Sequence, residues 1–318
     1  MANSLQDVQD TLLPKKWRDV FDEKRENSMT NVDSNILAIG ARIRMALSRL
    51  SLTEKTIAEW LITKGNVKEE TSIKEVAAAM NVSEPLIVKV AKKLEYQGFR
   101  ELRTALVAYF SALPFDQEFE ISEVDNLEIV LDKVFNTSIQ SLKEAKSVAK
   151  PSVISHAAAL IGQANHVVIL GVGGSASVCQ DFEHKLLRIG ILGHSYSDYH
   201  LMLMVCCQLE ENDVVIVISQ SGDTVELLKS IEIAKENKAK IICITNDDAS
   251  PLSQASDLSI FSPAYDGPLL GQNAVARIVQ LNLLDTLFIA IIIQDYQGTK
   301  NKLDKSIQVV KPLHGKSS

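Results

Sequence analysis

The sequence predicts two unlike domains in tandem, an all-α N-terminal domain followed by an α/β domain with a five-stranded parallel sheet. Three observations carry this. From Ile43 to about Phe110 apolar residues recur at helical spacing and no strand signature appears. From about Asn165 onward, five short apolar runs (HVVIL, ILGHSY, DVVIVIS, KIICIT, DLSIF) alternate with helical stretches. Strands that are apolar on both faces, separated by helices, imply a parallel sheet covered on both sides. Between the two regions lies an acidic, polar break, ALPFDQEFEISEVDN, opened by Pro114.

Taken in order, residues 1–35 are polar and irregular and read as a poorly ordered extension, with structure beginning near Ile36. Residues 36–113 form the helical domain. LTEKTIAEWLI repeats apolar residues at helical intervals, and Ser51 with Glu54 reads as a capping box, as does Ser72 with Glu75. A linker is expected at 114–125. The second domain spans 126–300 and opens with a long amphipathic helix, LEIVLDKVFNTSIQSLKEA. It closes with NAVARIVQLNLLDTLFIAIII, a helix apolar around most of its circumference and so expected to be buried, with a subunit interface as one means of burying it. Residues 301–318 read as a tail.

The 318 residues suit about two domains, and 46% hydrophobic content is ample for their cores. The N-terminus lacks the basic start and apolar stretch of a secretory signal. No uninterrupted apolar run reaches the ~18 residues expected of a membrane-spanning helix. Four cysteines without CxxC spacing (Cys179, Cys206, Cys207, Cys243) read as core thiols of a cytoplasmic protein. The six histidines show no metal-ligand spacing, so neither metal nor cofactor is expected. Net charge is −7, yet Lys and Arg outnumber Asp and Glu by 12 to 8 between Ala41 and Leu113, and trail them 21 to 32 elsewhere. That is the sign expected of a DNA-binding head on an acidic body.

IKEVAAAMNVSEPLIVKVAKKL, Ile73 to Leu94, has the pattern of a helix-turn-helix. Ala77 is small where the helices approach, and Asn81 tolerates the left-handed turn. Val76, Met80, Val82, Ile87 and Val90 face inward. Ser83 can cap the second helix, and Pro85 is tolerated only in a first turn. The residues expected at DNA are Ser72, Ser83, Glu84, Pro85, Val88, Lys89, Lys92 and Lys93, with the N-terminal half of the second helix in the major groove and lysines on phosphates. An ordinary helical hairpin with a solvated lysine face would show much of the same pattern.

VVIVISQSGDTVELL poses a different question. A buried strand ends in hydroxyls around one glycine and runs directly into a helix. Ligands of open α/β sheets bind at that carboxyl edge, and a helix N-terminus there suits an anion. LGVGGSAS repeats the arrangement after the first strand. The expected anion-gripping residues are Gly173, Gly174, Ser175, Ser219, Gln220, Ser221, Gly222 and Thr224. A nucleotide fingerprint would also want an acidic residue ending the second strand, and none stands clearly there.

GVGGSAS together with VISQSGDT resembles the sugar isomerase (SIS) domain. With the helical head before it, the chain is similar to the RpiR family of bacterial transcription regulators over roughly 36–300. NVSEPLIVKVAKKLEYQGFRELRTAL, HKLLRIG, AKIICIT and PLLGQNAVARIVQL carry the same resemblance. It implies a flavodoxin-like body, a phosphorylated-sugar effector gripped through Ser175 and Ser219, repression of sugar-catabolic genes through a double-stranded, palindromic DNA operator, and a homodimer or homotetramer built by the SIS domains, away from any membrane. His200 and Arg277 are further candidate ligand contacts, Arg277 alternatively lying at a dimer seam. SIS domains also serve isomerases, which need a base for the C2 proton. Glu226, His184 and His200 are the candidates, with His184 expected to pack against the sheet, and they form no convincing catalytic set. A helix-turn-helix head has no use in an isomerase, so regulation is the expected function.

Overall fold

The computed structural model describes residues 29–63, 65–113, 121–264 and 274–311. Most of the predicted extension, residues 114–120 of the linker and the last seven residues lie outside them.

The head is helical throughout: α1 (Met29–Ala46), a short 3-10 turn, α2 (Leu52–Ile62), α3 (Ile73–Met80), α4 (Glu84–Lys93) and α5 (Phe99–Ala112). One apolar core joins them, including Ile43, Ile57, Val76, Ile87, Leu102 and Leu106. Both capping boxes are present, Ser51 with Glu54 and Ser72 with Glu75. Asn81 takes the left-handed conformation at φ 52°, ψ 48°, which turns α3 into α4. Helix α1 begins at Met29 rather than near Ile36. Its C-terminal half is fixed against α5 and α6, and extending a helix already nucleated costs little even through polar residues.

Helix α6 (Leu127–Val148) leads into the body, followed by α7 (Pro151–Gln163). The body then alternates: β1 (Val167–Leu170), α8 (Gly174–Arg188), β2 (Gly193–Tyr196), α9 (Tyr199–Cys206), β3 (Val214–Ile218), α10 (Val225–Glu236), β4 (Lys240–Thr245), α11 (Pro251–Ala255) and β5 (Leu258–Phe261). Two helices end it, α12 (Ala274–Gln294) and α13 (Tyr296–Val310). All five strands are parallel, in the order β2-β1-β3-β4-β5. Alternate strand residues feed two cores. Val167, Ile169, Ile216 and Ile244 meet α7, α8 and α12 on one face. Val168, Leu170, Val217 and Cys243 meet α9, α10 and α11 on the other. Every residue of β3 is buried, as its unbroken apolar run requires.

Three expectations need correction. The predicted tail is largely helix: α13 runs to Val310 behind an Asp295 cap that accepts from the Gly298 amide at 3.0 Å. Helix α7 is a further departure, since the expected order runs from α6 to the first strand with no helix between, yet Pro151 opens one and Ile154, Ala157, Ala158 and Ile161 form its buried stripe. Cys207 is exposed, because it ends α9 on the solvent side, while Cys179, Cys206 and Cys243 are buried. Burial pushes the Cys179 and Cys206 thiols up to about 12. Helix α12 is long and apolar enough to cross a membrane by composition, and here it packs on α7, α8 and α6.

Helix α6 joins head to body, one part against α1 and another against α12. Its Glu144 is wholly buried and accepts four hydrogen bonds. Arg44 Nε and Nη2 donate at 2.9 and 3.3 Å, the Tyr109 hydroxyl at 2.5 Å and Gln140 Nε2 at 3.0 Å. Gly40 makes room for them: a Cβ there would stand 2.7 Å from both Glu144 Oε1 and the Tyr109 hydroxyl oxygen. Burial, then the Glu144 charge, holds the Tyr109 hydroxyl well above its ordinary value. An exposed ion pair between Arg49 and Asp248 also links head to body.

Removing one partner of a buried ion pair costs about 3–5 kcal/mol. Glu144→Ala is therefore expected to destabilise the protein by about that amount, read as a lower urea midpoint, whereas an exposed control, Glu236→Ala, leaves the midpoint near wild type.

Glu54 generates a second prediction. Its buried carboxylate, capping α2, takes ion pairs from two residues of α4, Lys93 at 2.6 Å and Lys89 at 3.0 Å. The Lys93 ammonium, the Ser51 amide and Lys89 together hold its pKa at about 2, against an ordinary 4.5. A carboxylate depressed by folding contributes stability that is complete above the unfolded value and lost as pH falls through the folded one. Glu54→Gln should flatten the loss of thermal stability between pH 4.5 and 2. An acid limb as steep as wild type would show that the charge contributes nothing.

Candidate functional site

Two sites arise from the helix ends. The first is the outer surface of α3 and α4. Ser83, Pro85, Lys89 and Lys92 are exposed, and Ser72, Glu84 and Val88 are half-buried. Ser83 occupies the N-cap position of α4 but does not cap through its side chain. The reason is local. Pro85 has no amide to donate, and the Leu86 amide donates to the Ser83 carbonyl at 3.0 Å, leaving the hydroxyl facing solvent beside the helix N-terminus. Val76, Ile87 and Val90 are fully buried, while Met80 and Val82 pack partly against the same core. Lys93 is committed to Glu54, and Lys89 shares that carboxylate while keeping 62% of its side chain exposed. Sequence reasoning missed Glu54 as the residue that fixes α4 on α2. The signal available was an acidic residue in a capping box, which by itself says nothing of a partner from another helix.

The second site is the carboxyl edge of the sheet. Strands β1 and β3 are hydrogen-bonded neighbours, and β1 lies between β2 and β3. The chain order therefore reverses there, and the loops after β1 and β3 lead into helices at the crevice where doubly wound sheets bind ligands. Gly173, at φ 56°, is the N-cap residue of α8, Gly174 opens the helix, and Ser175 is buried in its first turn. Ser219 is buried, accepts from the Gly222 amide at 3.2 Å and lies 3.2 Å from the Thr224 hydroxyl. Ser221 is exposed and accepts from the Asp223 amide at 3.3 Å. Gly222 sits at φ 65°, and a Cβ there would strike Ser250 and Thr245, so only glycine fits. Neither α8 nor α10 carries a side-chain cap, which leaves positive helix ends and hydroxyl donors at adjacent strand ends.

Beneath the second turn is a polar floor that sequence reasoning did not single out. Gln280 of α12, only 1% exposed, donates to Gln220 Oε1 at 3.3 Å. Thr245 Oγ1 donates to the Gln220 carbonyl at 3.4 Å. Among the described residues, Gln220 Nε2, Gln280 Oε1, Asn246 Oδ1 and Ser262 Oγ are buried without a hydrogen-bond partner. A lone glutamine within ARIVQLNLL was the visible sign of Gln280.

His200 is exposed in the first turn of α9, its ring 6.2 Å from that of Tyr199, and Arg277 is exposed on α12. Neither makes a hydrogen bond to the two turns among the described residues. Glu226 and His184 are exposed as well. His184 lies on the solvent side of α8, while Phe182 and Leu186 take the sheet side, so it does not pack against the sheet.

Comparison with known proteins matches both parts. Residues 37–113 match the helix-turn-helix domain of the rpiR family, and residues 160–290 match the SIS domain. The chain is 40% identical over 280 residues to the HTH-type transcriptional regulator RpiR of Escherichia coli K12, covering 87% of this chain and 93% of that one. It is 29% identical to the HTH-type transcriptional regulator HexR of Pseudomonas aeruginosa, covering 84% and 94%. Among solved structures, the Vibrio vulnificus NanR protein complexed with ManNAc-6P shares the fold, with a TM-score of 0.56 and 22% identity, covering 87% of this chain and all of that one. A helix-turn-helix head of this type, an SIS body and 40% identity along most of the chain assign this protein to the RpiR family of transcriptional regulators.

Proposed function

We propose that the protein is a homo-oligomeric repressor of sugar-catabolic genes whose operator binding is controlled by a phosphorylated sugar. It acts in the cytoplasm, as a dimer or tetramer, and is not an enzyme. The carrying observation is the pair of uncapped, hydroxyl-bearing helix N-termini at adjacent strand ends, in the same chain as an exposed helix-turn-helix surface. Phosphate oxygens suit the hydroxyls of Ser175, Ser219, Ser221 and Thr224 and the amides of the first turns of α8 and α10. Sugar hydroxyls suit the unpartnered amide and hydroxyl atoms of Gln220, Gln280, Asn246 and Ser262. The sugar phosphate bound to the NanR relative belongs to the same chemical class. An isomerase would need a base over the sugar, and Glu226, His184 and His200 are each spent on exposed helix surface.

The ligand acts only through differential affinity for two states of the protein, worth about 1–3 kcal/mol in typical allosteric couplings. A fluorescent DNA fragment from upstream of the protein's own gene, titrated with and without ribose 5-phosphate, allose 6-phosphate and allulose 6-phosphate, tests the reading. One of them should release the DNA at micromolar concentration. Conversion of a sugar phosphate without any DNA binding would transfer the protein to the isomerases.

Two variants separate the sites. Ser219→Ala should weaken the effector response at least tenfold and leave DNA binding without ligand at the wild-type level. If DNA binding falls with it, the two sites do not divide the work. Lys89→Ala should weaken DNA binding and lower the salt-dependence slope by about 1, with ligand affinity unchanged. Wild-type DNA affinity in that variant would move the recognition surface away from α4.

A further inference from the structure

The loop from Asn246 to Ser250 joins β4 to α11 at the carboxyl edge of the sheet and faces two ways. Its inner side is tied to the hydroxyl turn. The Asn246 amide donates to the Gln220 carbonyl at 3.1 Å, as the Thr245 hydroxyl does at 3.4 Å, and the Leu252 amide donates to the Gly222 carbonyl at 3.0 Å. Ser250 fills the space that a Cβ at Gly222 would need. On the outer side, Asp248 carries the ion pair to Arg49 of the head. The loop is braced from within. Asp247 Oδ1 accepts from the Ala249 amide at 2.8 Å, and the Ser250 hydroxyl donates to the Asp247 carbonyl at 2.8 Å. A segment so braced transmits a displacement of Asn246 to Asp248.

Arg49 stands close to the DNA-facing surface in turn. It ends the 3-10 turn between α1 and α2. Ser51 then caps α2, and Glu54 in the first turn of α2 holds Lys89 and Lys93 of α4. One partner of the Arg49–Asp248 pair thus sits on the wall of the hydroxyl turn. The other sits at the start of the helix to which α4 is fixed.

We infer that Arg49 and Asp248 are positioning residues, a latch through which a sugar phosphate at the sheet edge acts on the helix-turn-helix. The latch rests on the phosphosugar-controlled DNA binding proposed above and names the residues that carry its regulation. Asn246 Oδ1, buried without a hydrogen-bond partner among the described residues, is where the ligand engages the loop. A sugar hydroxyl donating to it draws the loop toward the site, and Asp248 moves with it. Coupling requires a contact with two arrangements, and an ion pair is either made or broken. The two side chains are each 34% exposed. A pair of that exposure is too weak to decide whether the protein folds, yet strong enough to bias two folded arrangements.

The test compares the full wild-type chain with Asp248→Ala, Arg49→Glu and the double variant Arg49→Glu with Asp248→Arg. The readout is the ratio of DNA Kd with and without saturating sugar phosphate. Ribose 5-phosphate, allose 6-phosphate and allulose 6-phosphate are used in turn on the fragment from upstream of the gene. A merely structural contact would not move this ratio. Each single variant should lower it about threefold, the scale of one exposed ion pair, and the double variant should bring it back. Lys229→Ala, which removes an exposed ion pair with Glu232 within α10, should leave it at the wild-type level. Calorimetry without DNA should show that every variant still takes up the ligand, and loss of uptake in Asp248→Ala would make Asp248 part of the site instead of a latch. Single variants with the wild-type ratio, or a double variant no better than the singles, would overturn the latch and leave the proposed function intact. A wild type whose DNA binding answers to none of the three sugar phosphates would overturn both.

Discussion

The disposition of head and body depends on one buried carboxylate. Glu144 sits where α1, α5 and α6 meet, and a lone charge there would be far too costly to bury. It is accommodated because Arg44, Tyr109 and Gln140 together supply four donors, and because Gly40 leaves the space. Bidentate pairing with a guanidinium constrains direction as well as distance. An apolar contact between α1 and α6 could slide by a fraction of a turn at small cost, while this one keeps its bonds only in one register. The head's apolar core and the sheet's two cores are separate clusters, so the polar joint between them does much to set the angle at which the head is carried.

The same helix connects that joint to the sheet edge. Gln220 belongs to the hydroxyl turn, Gln280 reaches it from α12, α12 packs on α6, and α6 holds Glu144. The route is contiguous, but contiguity alone couples nothing. Coupling requires an element with two arrangements that a ligand can bias. The paired amides of Gln220 and Gln280 are suited to that part, since one donor and one acceptor between them lack partners in the structure. Buried polar atoms without partners are costly. On the phosphosugar reading proposed above, a sugar hydroxyl that completed them would stabilise one arrangement of the pair and so bear on the position of α12.

The features legible in the sequence are those fixed by local chemistry. The unbroken run of β3 could only be a strand buried on both faces, and SQSGDT could only be a tight passage into a helix. Asn81 marked the turn of the helix-turn-helix and the two capping boxes marked helix starts, because a left-handed residue and reciprocal hydroxyl–carboxylate caps are properties of a few consecutive residues. What escaped was fixed by contacts distant in sequence. Glu54 looks like a cap until Lys89 and Lys93 arrive from α4. Gln280 looks like an interruption of an apolar helix until Gln220 meets it. Helix α13 has too few apolar residues for periodicity to reveal it, and the helical start at Met29 follows from the anchoring of the far end of α1. Ser83 failed as a side-chain cap for a local reason that could have been read, since Pro85 removes one of the amides it would have capped.

Helix α6 shows the limit of periodicity most clearly. Its sequence is amphipathic, and the ordinary inference places the apolar stripe against the core. In the structure the side that meets the head is polar, because there the helix meets an arginine and a tyrosine that must be satisfied, while Ala145 and Leu142 reach the body's apolar core. The apolar residues are left for solvent or for another chain. A helix that binds its own head through hydrogen bonds keeps a directional joint, because those bonds hold only where donors and acceptor meet in one register. The exposed apolar side chains on the other face carry no such direction, since burial of apolar surface is non-directional, so periodicity reads the apolar face while the buried joint emerges only from contacts distant in sequence.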